Sequence, residues 1–71
     1  MRYIKAIGAE LRRIRESRGL TARSVALWAD IHPNTLARLE NGENVGLDVF
    51  IRVCVTLRIS PAEPFDAAEE V

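Results

Sequence analysis

The 71-residue sequence predicts an all-α fold of five helices in a single domain. The first observation is that apolar residues recur at spacings of three and four, which places them on one face of a helix. The second is that glycine, proline and capping residues separate these segments where helices end and begin. The third is the length, because so short a chain buries only a small core and a partner subunit would add stability.

The first helix is predicted from about Tyr3 to Arg18, with an apolar stripe on one face and arginines on the others. The stripe consists of Ile4, Ile7, Leu11 and Ile14. Gly19 stands where a left-handed residue commonly ends a helix, and Leu20 can then fold back onto that helix. We therefore expect the first helix to stop just before Gly19.

The second helix is predicted to begin after Thr21, whose hydroxyl can accept a hydrogen bond from a backbone N–H group of the first turn. Its inward face is made of the small residues Val25, Ala26 and Ala29. Asp30 and Ile31 follow this face and are expected to form the turn that ends the helix.

Pro33 sets the start of the third helix. Proline fits the first turn of a helix and disfavours a helical residue before it, so this helix must begin at His32 or Pro33. Leu36 and Leu39 are its inward residues. The Asn-Gly pair at 41–42 is expected to end it after about two and a half turns.

The fourth helix is predicted over Leu47–Leu57, after a polar loop. This segment is apolar almost all round, which is typical of a helix buried on more than one side. The residues able to face one core are Phe50, Ile51, Val53, Cys54 and Leu57.

The fifth helix is predicted as a short element near the end of the chain. Its start resembles a capping box with proline at the first helical position, formed by Ser60, Pro61 and Glu63. Pro64 and Phe65 are expected to keep it short, and residues 66–71, which are small or acidic, are expected to fray. The predicted organisation is therefore one domain over 1–65 and a short acidic tail over 66–71.

Composition excludes several classes of protein. Cys54 is the only cysteine and His32 the only histidine, so neither an internal disulfide nor a structural zinc site can form. Cys54 is interpreted as a small buried hydrophobe. The sequence has no nucleophile and base pairing, no metal-ligand cluster and no glycine-rich phosphate loop, so we expect no enzymatic activity and no cofactor.

Hydropathy gives no indication of a membrane protein. No apolar run approaches the roughly 20 residues that span a bilayer, and the N-terminus lacks the apolar core of a signal peptide. A cytoplasmic location is therefore the expectation.

Charge is unevenly distributed although the formal net charge is zero. Residues 1–42 hold eight basic and four acidic groups, whereas residues 43–71 hold two basic and six acidic groups. One part of the domain can therefore face a polyanion while the other repels it. The same asymmetry also fits an ordinary solvated surface, so charge alone does not decide between the two.

The second and third helices, joined by a tight turn, are typical of a helix-turn-helix unit, whose second helix enters the DNA major groove. The stretch TARSVALWADIHPNTLARLENG, residues 21–42, resembles this unit in the lambda-repressor-like family, also called the Cro or XRE family. The resemblance extends over roughly residues 7–65. The matching positions are Arg15, Gly19, Leu20, Thr21, Ala26, Ile31, Leu36, Leu39, Glu40, Asn41 and Gly42.

This resemblance implies a compact five-helix DNA-binding domain in a transcriptional regulator, most simply a repressor that binds a palindromic operator as a homodimer. Apolar residues on the outer faces of helices 4 and 5, Val49, Val55 and Ile59, exceed what one small core needs and support the dimer. The alternative is an antitoxin or another protein-interaction module of the same fold.

The sequence departs from the family pattern in three respects. Ala22 replaces a common glutamine, which implies one phosphate contact fewer, and Asp30 replaces a common glycine in the turn. Asp30 can adopt the left-handed conformation at modest cost. Pro33 and Asn34 stand where the family varies most, so the operator sequence cannot be transferred from a relative.

Base reading is assigned to the outer face of the third helix. The amide of Asn34 can contact adenine in a bidentate manner, and the guanidinium of Arg38, one turn later, can do so with guanine. Pro33 and Thr35 complete the set of base-reading residues, and Thr35 also has the option of a phosphate contact.

Other polar residues are assigned to the DNA backbone. In the family, the matching helix ends and loops lie against the sugar-phosphate chain, where they set the register without reading sequence. These residues are Thr21, Arg23, His32, Asn41 and Asn44. His32 has a second interpretation, as a helix cap.

Two further pairs of residues have roles away from DNA. The resemblance implies that Arg15 and Glu40 form a partly buried ion pair between helix 1 and the end of helix 3. Leu27 and Trp28 stand where the family is usually polar. We expect Trp28 to fold over helix 1 at the edge of the core; the alternative is that both residues form an exposed patch for a protein partner.

Overall fold

The structure is a computed structural model that describes residues 2–69. The helices are α1 (Arg2–Ser17), α2 (Ala22–Ala29), α3 (Pro33–Glu40), α4 (Leu47–Leu57) and α5 (Ala62–Glu69), and no strand occurs among these residues. The predicted all-α fold is confirmed, with α1 packed on α3 and α5, and α2 packed on α3 and α4. Within the described part of the chain, no helix is long and apolar enough to cross a membrane.

The junction between α1 and α2 follows the sequence signals. Gly19 adopts a φ of 68°, and the backbone N–H of Leu20 donates to the carbonyl oxygen of Arg15 at 3.1 Å, so the chain turns back onto α1. Thr21 caps α2, because its Oγ1 accepts a hydrogen bond from the backbone N–H of Ser24 at 3.1 Å. Both predicted boundaries are therefore confirmed.

The turn between α2 and α3 depends on one left-handed residue. Asp30 has φ 58° and ψ 47°, as expected for a residue that replaces glycine there, and the Ile31 N–H donates to the carbonyl oxygen of Ala26 at 3.0 Å. Arg52 of α4 lies against this turn, 3.4 Å from the Asp30 carbonyl oxygen and 3.5 Å from its carboxylate. Pro33 then occupies the first helical position of α3.

The core is formed by inward faces of all five helices. Its buried members on α1 to α3 are Ile7, Leu11, Ile14, Val25, Ala26, Ala29, Leu36 and Leu39, and those on α4 and α5 are Phe50, Val53, Cys54, Leu57 and Ala68. Cys54 is fully buried, as predicted, and burial raises the pKa of its thiol to about 11. Ile51, which was expected in the core, is 37% exposed.

The fifth helix is longer than the sequence suggested. The expectation that Pro64 and Phe65 end it, with fraying from residue 66, is wrong: α5 continues to Glu69 and buries Ala68, and residues 70 and 71 lie outside the described part. Pro64 falls in the first turn, where a missing N–H breaks no helical hydrogen bond. Phe65 packs edge-on against Phe50, with ring centroids 5.6 Å apart.

Helices α1 and α3 approach each other so closely that two glycines are required. A Cβ atom on Gly8 would overlap the carbonyl oxygen of Leu39 and lie 2.9 Å from that of Glu40. Gly42 has a φ of 80°, and a Cβ there would lie 2.7 Å from the Cα of Lys5. The backbone of α1 therefore lies directly against the end of α3.

The predicted ion pair between Arg15 and Glu40 spans the same two helices. The Arg15 Nε donates to Glu40 Oε2 at 2.7 Å and Nη2 donates to Oε1 at 3.0 Å, while Nη1 donates to the Leu20 carbonyl oxygen at 2.9 Å. The side chains are 10% and 8% exposed. The hydrogen bond to Glu40 raises the pKa of Arg15, so the guanidinium is charged throughout the usual pH range.

We predict that Gly8→Ala destabilises the domain by about 1 to 3 kcal/mol, because the added methyl group must displace backbone. Helix propensity alone predicts a gain of about 1 kcal/mol for this change. The control is Ala9→Gly at the adjacent exposed position, which should lose about 1 kcal/mol by propensity. Urea unfolding measures the free energy of unfolding of both variants and of the wild type. A Gly8→Ala variant more stable than the wild type would refute the backbone contact.

We predict that Arg15→Ala lowers the thermal midpoint strongly, because the buried Glu40 carboxylate loses its cation. Breaking such a pair by removing one partner costs about 3 to 5 kcal/mol. Arg12→Ala is the matched control, because its pair with Glu16 is exposed and worth less than about 1 kcal/mol. Thermal unfolding followed by circular dichroism measures both, and an unchanged midpoint in Arg15→Ala contradicts the structural role of the pair.

Candidate nucleic-acid interface

The outer face of α3 presents a short polar surface. Asn34 and Arg38 are exposed, one helical turn apart on the same side, and Pro33 is exposed at the first position. Thr35 is half-buried at the border of this face. Asn34 and Arg38 therefore share the outer side of α3, opposite the buried residues Leu36 and Leu39, and Pro33 and Thr35 flank them at its two borders.

His32 acts as the N-terminal cap of α3. Its Nδ1 accepts a hydrogen bond from the backbone N–H of Asn34 at 3.0 Å, so this ring nitrogen carries no proton in the capped state. The ring N–H is then on Nε2. The cap interpretation of His32 is therefore the one seen in the structure, and it leaves a donor available to a phosphate.

The other residues assigned to the DNA backbone lie at helix ends and in the loop that follows α3. Thr21 and Arg23 are exposed at the start of α2, and Asn41 is the exposed C-terminal cap of α3. Asn44 is exposed in the loop between α3 and α4. The backbone N–H groups at the starts of α2 and α3 add partial positive charge, which favours an anion nearby.

Arg38 makes contacts that the sequence analysis did not predict. Its Nη2 donates to the carbonyl oxygen of Asn44 at 3.1 Å, and its Nε lies 3.5 Å from Glu43 Oε1. The backbone supports this arrangement, because the Glu43 N–H donates to the carbonyl oxygen of Arg38 at 2.8 Å. The only signal in the sequence was the Asn-Gly pair at 41–42, which brings the following residues back toward the helix.

Several arginines of α1 are engaged within the domain. Arg13 is hydrogen-bonded to Glu10, whose pKa it lowers, and Arg12 lies 3.4 Å from Glu16. Arg18, which directly follows α1, donates to the carbonyl oxygen of Leu57. The basic excess of residues 1–42 is therefore partly used in holding α1, so it contributes less to an anion-binding surface than its size suggests.

Leu27 and Trp28 are exposed on α2. The expectation that Trp28 folds over helix 1 is wrong, because its side chain is 61% exposed, and Leu27 is 75% exposed. The inward side of this eight-residue helix is already filled by Val25, Ala26 and Ala29, which are buried. Residues 27 and 28 then face away from the core, which leaves the interpretation as an exposed apolar patch.

The chain is similar to known helix-turn-helix proteins in sequence and in structure. A family model described as a helix-turn-helix domain matches residues 6–64. The crystal structure of the clp gene regulator ClgR from Corynebacterium glutamicum shares 32% identity with a TM-score of 0.86, covering 96% of this chain and 90% of that chain. No curated protein matches the chain significantly.

A second solved structure is also similar to this chain. The restriction-modification controller protein C.AhdI from Aeromonas hydrophila shares 27% identity with a TM-score of 0.82, covering 87% of this chain and 96% of that chain. The predicted resemblance is thereby confirmed over most of the chain. The chain belongs to the helix-turn-helix domain family and has the lambda-repressor-like fold of DNA-binding transcriptional regulators.

Proposed function

We propose that this chain regulates transcription by recognising a specific DNA sequence through α3. The observation that carries the proposal is the pairing of Asn34 with Arg38 on the exposed face of a helix whose other face is anchored in the core. Asn34 reads adenine and Arg38 reads guanine, each through two hydrogen bonds in the major groove. Pro33 and Thr35 border these contacts.

Contacts to the phosphate chain position α3 in the groove. Thr21 and Arg23 meet the backbone at the start of α2, which crosses the strand in this docking mode. His32 contributes Nε2–H from the cap of α3, and Asn41 and Asn44 contribute from its far end. These groups set the register of the protein on DNA, and none of them reads a base.

The dimer we propose uses α4 more than the sequence suggested. Val49 and Ile59 are half-buried and pack against the core, whereas Val55 is 67% exposed. Leu47 and Ile51, at spacings of four before it, are 72% and 37% exposed. These three residues form a stripe along α4, and we call it the α4 stripe.

Pairing of two α4 stripes around a twofold axis would shield this apolar surface. Two α3 helices about 34 Å apart would then read half-sites one helical turn apart on a palindromic operator. Repression is the proposed mode of regulation, because occupancy of an operator is sufficient for it.

A second candidate function is binding of a protein partner through Leu27 and Trp28. Their exposure on α2 is the observation that favours it. This function is compatible with DNA binding, since α3 presents its polar face independently of these two side chains.

We predict that Arg38→Ala and Arg23→Ala affect DNA binding in different ways. Loss of the Arg38 base contact should cost about 1 to 3 kcal/mol on the operator and little on scrambled DNA. Loss of Arg23 should weaken binding to both duplexes alike and reduce the salt dependence by about one ion.

Fluorescence titrations at several salt concentrations measure both effects, with an operator selected from a random duplex library. Equal losses on both duplexes in Arg38→Ala would mean that this residue clamps a phosphate. Failure of the wild-type chain to select any sequence would overturn the proposed function itself.

We predict that Val55→Glu dissociates the dimer, because it places a carboxylate in the middle of the paired apolar surface. Leu27→Glu is the matched control, since Leu27 is equally apolar and 75% exposed on another helix. Light scattering at high protein concentration should show a monomer only for Val55→Glu. Dissociation by Leu27→Glu alone would move the interface to α2, and a monomeric wild type with one protected half-site would exclude the dimer.

A further inference from the structure

Arg38 is held along one edge of its guanidinium group. A guanidinium carries five N–H donors in a fixed planar fork, and Nη2 lies on the same side of the plane as Nε–H. In this structure Nε lies 3.5 Å from Glu43 Oε1 and Nη2 donates to the Asn44 carbonyl oxygen at 3.1 Å. The side edge, formed by Nε and Nη2, therefore lies against Glu43 and Asn44 through one ion pair and one hydrogen bond.

The end edge of the guanidinium, by contrast, can bind a base. Nη1 and the second hydrogen of Nη2 form the end edge of the guanidinium, and two parallel donors of this kind match O6 and N7 of guanine. Among the described residues Nη1 has no hydrogen-bond partner, and Nη2 has one hydrogen beyond its bond to Asn44. The residues after α3 thus orient a base-reading group before DNA arrives.

We propose that Glu43 is a positioning residue that determines specificity by directing Arg38 to a base and away from the phosphates. This inference rests on the proposed function of α3. The carboxylate holds the side edge of the guanidinium, and its negative charge opposes a close approach of Arg38 to the phosphate chain. Without Glu43, the long Arg38 side chain is free to reach the nearest phosphate on any sequence.

Stability is not the role of this ion pair. The two side chains are 53% and 55% exposed, and pairs of this exposure add little to folding. Orientation of a flexible side chain before binding instead reduces the conformational entropy that binding must remove. The effect of Glu43 should therefore be seen in DNA discrimination and not in the thermal midpoint.

Glu43→Ala tests the inference, with discrimination defined as the ratio of Kd for scrambled DNA to Kd for the selected operator. We expect tighter binding to scrambled DNA, weaker or equal binding to the operator, and a ratio about tenfold lower, as for coupled neighbouring residues. Asp48→Asn is the charge control, because it removes one negative charge five residues after Glu43, and no ion pair joins Asp48 to Arg38 in the described part of the chain. It should strengthen binding to both duplexes alike and leave the ratio unchanged.

A double-mutant cycle with Arg38→Ala separates orientation from general electrostatics. In the Arg38→Ala background, Glu43→Ala should change both Kd values by the same factor, because no guanidinium is left to orient. An unchanged ratio in Glu43→Ala, or an equal fall of the ratio in both backgrounds, overturns the inference. Equal affinity of the wild-type chain for both duplexes would instead overturn the proposed function, and this inference with it.

Discussion

The contact between the backbone of α1 and the end of α3 is the constraint on which the placement of the outer face of α3 depends. An eight-residue helix is too short to be stable alone in water, so α3 is stabilised by the helices that pack against it. Gly8 lets the carbonyl groups at the end of α3 approach α1, and the Arg15–Glu40 pair joins the same two helices from the side. These two contacts set the orientation of the outer face of α3.

Most of the fold could be predicted because its boundaries are set by local chemistry. Thr21, Asp30 and Pro33 each act within a few residues of their own position, and their effects on α2 and α3 can be deduced without knowing the rest of the structure. The contact at Gly8 is different in kind. A glycine in a helix signals only low helix propensity, and the carbonyl groups that it faces lie some thirty residues later.

In the candidate site, too, some features follow from the local sequence and others depend on how the chain folds. The shared face of Asn34 and Arg38 follows from helical periodicity, but the hold of Glu43 and Asn44 on Arg38 depends on how the chain turns at Gly42, whose φ is 80°. Trp28 was misplaced because large apolar side chains are usually buried and α2 was already filled by smaller ones. The effect of Pro64 on α5 was predicted wrongly, because a proline is tolerated in the first turn of a helix and disrupts its later turns. The residue at which α5 begins is not defined closely enough by the sequence to separate these two cases.

For the DNA reading that we propose, the shortness of α3 limits how many base pairs one copy of the domain can contact. Eight residues at 1.5 Å per residue give a rod about 12 Å long. Base pairs are stacked about 3.4 Å apart, so such a rod lies alongside only three or four of them. A sequence of three or four base pairs recurs throughout any genome. A single α3 therefore cannot distinguish one genomic site from the many others that contain the same sequence.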